Sequence, residues 1–152
     1  MPKKTLILIA LITIATFAFL NAVSAWAKPT PLWSWPLRPT PLITQGFAPP
    51  IQNWLPGHRG VDLAATTGQQ VFASARGAVA FASKLAGRGV VVVIHGALRT
   101  TYEPVQSKVK VGQVVAQGQL IGTMSAGESH CSVNGQVQCL HWGLLRGTQY
   151  LN

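Results

Sequence analysis

Acids are scarce in this chain. Among 152 residues there are three, Asp62, Glu103 and Glu128, against twelve lysines and arginines. Sites built from many carboxylates, such as calcium-binding loops, are therefore excluded. Cysteine is nearly as rare, with only Cys131 and Cys139, too few for a cysteine-rich metal cluster or a multiply bridged scaffold. No stretch shows a sustained helical period, and there is no heptad or low-complexity tract.

What is present begins with an amino-terminal leader pattern. Lys3 and Lys4 precede an apolar run from Leu6 to Leu20, and then Ala25-Trp26-Ala27. A basic start, a short apolar core and a small-residue exit are the marks of an export signal. The expectation is a signal over 1–27, a short linker over 28–34 and one domain over 35–152, in a protein secreted or associated with the cell wall. Without Lys3 and Lys4, ten basic side chains stand against three acids. A basic exported domain suits an anionic partner such as a wall polymer, and nucleic acid is not expected outside the cell. Export also permits a disulfide, and pairing Cys131 with Cys139 is the simplest arithmetic.

Most of the ten prolines fall between residues 28 and 57, in PLWSWPLRPTPL and APPIQNWLPG. They argue against helix and for an irregular segment, which Trp33, Trp35 and Trp54 are expected to pack onto the domain. Beyond Gly57 short β-forming runs alternate with glycines: QQVFASA, GAVAFAS, GVVVVIHG, LRTTYEPV, QVVAQG, QLIGTM and LHWGLL. This spacing predicts an all-β domain on a twisted antiparallel sheet, with GVVVVIHG as its central strand.

The only aspartate, Asp62, lies four residues after His58 in GHRGVDLAA. An imidazole and a carboxylate in a glycine-flanked loop suit zinc, although a plain His–Asp hydrogen bond gives the same spacing. His141, in CLHWG, is a possible third ligand. Two histidines and a carboxylate would leave a fourth position open, as in catalytic zinc sites. Cys139 shares a strand face with His141. It is either a fourth, thiolate ligand that would close the site or half of the disulfide.

In order along the chain, GHRGVDLAA, GQQVFASARGAVAFAS, GVVVVIHGALRTTYEPV, VKVGQVVAQGQLIG and CLHWG resemble a lysostaphin-type peptidoglycan metallo-endopeptidase domain. The resemblance runs from about Trp35 to Tyr150. It implies zinc held by His58, Asp62 and His141, and hydrolysis of peptide cross-links in bacterial peptidoglycan; the protein is expected to be a monomer. It also exposes two departures. The family's helper histidines close a T-x-Y-x-H motif and open an H-x-H motif; here those places hold Pro104 and Cys139. The substitutes are His130, which a Cys131–Cys139 bridge would bring toward the zinc strand, and Glu103. Tyr102 either stabilises an oxyanion or packs. A non-catalytic wall-binding or hydrolase-regulating module of the same fold is the alternative, while His95 reads as structural.

Overall fold

A computed structural model describes residues 32–52, 54–126, 131 and 138–152. The proposed export signal, most of the linker and His130 lie outside the described residues. Eleven strands follow one another, and no helix occurs among the described residues: β1 (Ile43–Gln45), β2 (Val61–Ala65), β3 (Gln70–Phe72), β4 (Gly77–Leu85), β5 (Arg88–His95), β6 (Leu98–Glu103), β7 (Val105–Ser107), β8 (Val114–Val115), β9 (Leu120–Met124), β10 (Gln138–Arg146) and β11 (Gln149–Leu151). The larger sheet runs β1-β2-β10-β6-β5-β4-β8, and β11 folds back on the end of β10. A smaller sheet has the order β3-β9-β7, and every pairing is antiparallel.

The core follows the two-residue period of the strands. Leu63 on β2, Val91 and Val93 on β5, Tyr102 on β6 and Leu140 on β10 meet Val71, Val105 and Ile121 of the smaller sheet, all essentially inaccessible. The GVVVVIHG strand is interior, flanked by β6 and β4. Its alternate residues Val92 and Ile94 turn to the opposite face, where Ile94 is 43% exposed. That second face of β4, β5, β6 and β10 is half open rather than wholly buried.

Three turns share one chemistry. In TTGQ, KVGQ and AQGQ the glycine at the third place has φ of 79°, 84° and 73°, a left-handed value that a second central turn residue needs and glycine supplies without strain. The following Gln69, Gln113 or Gln119 closes the turn by its backbone amide and returns its side-chain oxygen to the amide of Thr66, Lys110 or Ala116. The repeated Gly-Gln pair is thus a readable turn signal.

The Pro/Trp-rich segment divides. Ser34 donates its amide to the Ser74 carbonyl at 2.8 Å, and Trp33 sets its edge against His95. The Trp35 ring lies against Trp142, 5.9 Å between centroids. Trp54 departs from its expected burial, at 78% exposed. Its loop closes on itself, through the Leu55 amide to Gln52 O and Arg59 Nη2 to Leu55 O, so Trp54 has no sheet face to pack on.

Candidate metal centre

His58 sits just before β2, fixed by a two-way backbone bridge to Ala48. Its Nδ1 lies 2.6 Å from the Gly46 carbonyl. A carbonyl only accepts, so Nδ1 carries the hydrogen, and in the neutral ring Nε2 presents a lone pair. That lone pair faces Asp62 Oδ1 at 3.0 Å. Asp62 is wholly buried on β2, and antiparallel register puts it directly opposite His141 on β10. His141 Nδ1 is 2.8 Å from the same Oδ1 and 3.1 Å from His58 Nε2.

The three atoms form a compact triangle in which one hydrogen on His141 cannot satisfy both the carboxylate oxygen and the His58 lone pair. A cation resolves this directly. Ligand atoms about 2.0–2.1 Å from one tetrahedral zinc stand about 3.3 Å apart, close to the separations here, and nitrogen with carboxylate oxygen is a zinc donor set. The His58 Nδ1 contact to Gly46 is the kind of outer-layer hydrogen bond that would fix the tautomer of a metal ligand.

Two features hold the triangle in place. A Cβ on Gly60 would stand 2.7 Å from His141 Nε2 and 2.6 Å from the Trp142 carbonyl. Only glycine lets the chain pass so close to the imidazole. On the other side, a disulfide joins Cys131 and Cys139, and Cys131 Sγ lies 3.3 Å from Asp62 Oδ2. The buried carboxylate is thus wedged between two histidines and the bridge. Cys139 is committed to sulfur, which removes it as a thiolate ligand. Serine at both cysteines should destabilise the domain by roughly 2–3 kcal/mol on the chain-entropy account of so short a loop, read as a lower denaturation midpoint. Thiol counting on the denatured, unreduced protein should find none, and two free thiols would contradict the bridge.

Glu103 shares a sheet face with this centre. His141 lies between Asp62 on β2 and Glu103 on β6 in one cross-strand row, so all three side chains stand on one face. Glu103 is about a quarter exposed, with Oε2 3.9 Å from Arg88 Nε. With His58, His141 and Thr101 it lines a cleft of ≈ 710 Å³ along the open face of the sheet.

Tyr102, by contrast, is not brought to the site. One residue from Glu103, it points to the opposite face and is wholly buried. Its hydroxyl accepts from the Ser74 amide at 3.0 Å and meets Thr100 Oγ1 at 2.9 Å. Thr100 in turn meets His95 Nε2, and His95 Nδ1 donates to the Arg76 carbonyl. This hydrogen-bonded chain runs from the buried Ser74–Tyr102–Thr100 group out to the surface at Arg76, and it gives His95 the structural role expected of it. Burial raises the Tyr102 phenol above its ordinary pKa, while bonds to Ser74 and Thr100 pull the other way. The folded state therefore keeps a proton that the unfolded chain loses. That stability is complete below about pH 10 and declines as pH rises further. Tyr102→Phe strips the Ser74 amide of its acceptor and should cost about 1–3 kcal/mol. It should also flatten the alkaline decline in melting temperature and leave metal binding unchanged.

The sequence pattern of peptidase family M23 matches residues 56–152, a range that includes His58, Asp62, Glu103, His130 and His141. The chain belongs to peptidase family M23. Uncharacterized proteins of Mycobacterium tuberculosis and Mycobacterium bovis are 45% identical over 137 residues, 90% of this chain and 53% of theirs. The chain thus spans about half the length of these curated relatives. Among solved structures, a zinc-containing peptidase from Vibrio cholerae superimposes with a TM-score of 0.62 at 28% identity, over 77% of this chain and 37% of that one. Lysostaphin, from Staphylococcus simulans, gives 0.56 at 26% identity, over 72% of this chain and 45% of that one. The lysostaphin-type fold expected of the M23 domain is the fold observed.

Gly60, Thr101 and the cleft arginines Arg59, Arg88 and Arg99 also belong to this surface, and they were not singled out from the sequence. Gly60 had a signal, being a glycine between two candidate ligands. The others needed the folded structure.

Proposed function

We propose that this M23 domain is an exported zinc endopeptidase that hydrolyses peptide cross-links of bacterial peptidoglycan. The observation that carries the reading is the triangle of His58 Nε2, Asp62 Oδ1 and His141 Nδ1 beside a cleft of ≈ 710 Å³ on the open face of the sheet. Family membership and the likeness to a zinc-containing peptidase support it.

The three side chains would hold the zinc, which supplies Lewis-acid polarisation of an amide carbonyl and acidifies water. Everything else falls to the chain. The open face of β5, β6 and β10 receives an extended peptide. Glu103, in the His141 row, accepts a proton from the attacking water and returns it to the leaving amine. His130 is the rival for that work. The protein acts as a monomer, and its positive charge draws it to anionic wall polymer.

A wall-binding or regulating module is the second reading. It is favoured by one specific observation: the two places where the resemblance expects helper histidines hold Pro104 and the disulfide-bonded, buried Cys139. Incubating the zinc-loaded protein with purified peptidoglycan separates the two. New amino groups in the supernatant support the endopeptidase. Co-sedimentation with the wall, with no release, selects the binding module.

A further inference from the structure

Three arginines line the cleft, Arg59, Arg88 and Arg99, against the single carboxylate of Glu103. Two are engaged. Arg88 faces Glu103 at 3.9 Å, and Arg59 Nη2 donates to the Leu55 carbonyl at 3.1 Å. Arg99 differs. Among the described residues no carboxylate or carbonyl pairs with its guanidinium. Of the chain's three acids, Asp62 is held by the two histidines, Glu103 faces Arg88, and Glu128 lies outside the described residues.

Arg99 is half-buried on β6, with Ile94 of β5 and Leu145 of β10 as its cross-strand neighbours. Its aliphatic stem therefore rests on apolar surface while the charged head faces the cleft. Such a setting reduces the entropy lost on binding and strengthens a charge pair relative to open water. The planar guanidinium fork matches a carboxylate with two parallel hydrogen bonds.

We infer that Arg99 selects peptides bearing a free carboxylate, which it binds at the far end of the cleft from the metal centre. This rests on the endopeptidase reading for what the cleft holds. On one face of β6, Glu103, Thr101 and Arg99 follow at two-residue steps, and Glu103 shares the His141 row. Four residues of strand rise put Arg99 about 13 Å along the cleft from that row. A peptide extended beside β6 with its reacting amide at His141 sets a carboxylate some four residues away on Arg99. A neutral peptide leaves that positive end of the cleft without a counter-charge.

The test uses the zinc-loaded full chain and two synthetic peptides of one sequence, about eight residues long. One carries free side-chain and terminal carboxylates, and in the other every carboxyl is amidated. By titration calorimetry the parent should bind the acidic peptide on the order of 10–100-fold more tightly, the range of a charge-assisted hydrogen-bonded pair. Salt should narrow the gap. Arg99→Gln should erase the preference while leaving affinity for the amidated peptide and zinc content unchanged. Arg99→Lys should restore part of it. Equal affinities in the parent, a preference that survives Arg99→Gln, or no binding of either peptide at millimolar concentration would each overturn the assignment. Cleavage followed in parallel separates the two claims. Preference without cleavage sinks the endopeptidase and keeps the carboxylate site, whereas equal kcat/KM for both peptides does the reverse.

Discussion

Alanine at Asp62 should strip zinc from the domain. The carboxylate is wholly buried and its Oδ1 is shared by both imidazoles at 2.8 and 3.0 Å. Its removal would delete one of the three proposed protein ligands and the only carboxylate in the triangle. Loss of a mere outer-layer partner typically costs 10–100-fold in metal affinity, about 1.4–2.7 kcal/mol, so a ligand should cost more. Metal analysis after dialysis against a weak chelator reads the effect, with the parent keeping one zinc per chain and Asp62→Ala close to none. Asp62→Asn is the companion variant, because it preserves volume against the Cys131 sulfur while removing the charge. Should Asp62→Ala hold zinc as tightly as the parent, the three residues are a hydrogen-bonded cluster and the ion sits elsewhere.

Glutamine at Glu103 should lower the cleavage rate by roughly 10²–10⁴-fold, the usual contribution of a positioned proton-transfer group. The change keeps size and hydrogen-bonding capacity, and Glu103 is not one of the three triangle residues, so zinc content should not move. Steady-state release of amino groups from peptidoglycan gives the rate. His130→Ala, assayed beside it, decides between the candidates. A rate that falls only in the histidine variant transfers the proton work to His130.

How far the sequence reached differs from residue to residue. His58 and Asp62 were legible because four positions separate them in a glycine-flanked stretch, although Asp62 lies on β2 rather than in a loop, and His141 because it lies on a late strand two positions from Cys139. The all-β architecture followed from short apolar runs punctuated by glycine. Tyr102 was not legible. Its neighbour Glu103 lies in the His141 row, and one residue along a strand reverses the face, so only the observed register sent the phenol to Ser74 and Thr100 and the carboxylate to the cleft. Trp54 misled for another reason: an aromatic ring carries a strong expectation of burial, but its loop closes through its own backbone and offers no partner surface. Arg99 is invisible in the sequence because its significance lies in which face of β6 it occupies and in the charges absent around it.

The most direct measurement is zinc-edge X-ray absorption on the purified protein. A site made by His58, Asp62 and His141 gives a shell of nitrogen and oxygen alone, at about 2.0–2.1 Å, with imidazole scattering beyond it. A sulfur at about 2.3 Å would place a cysteine on the metal, break the Cys131–Cys139 bridge and turn the open centre into a closed, structural one, contradicting the account.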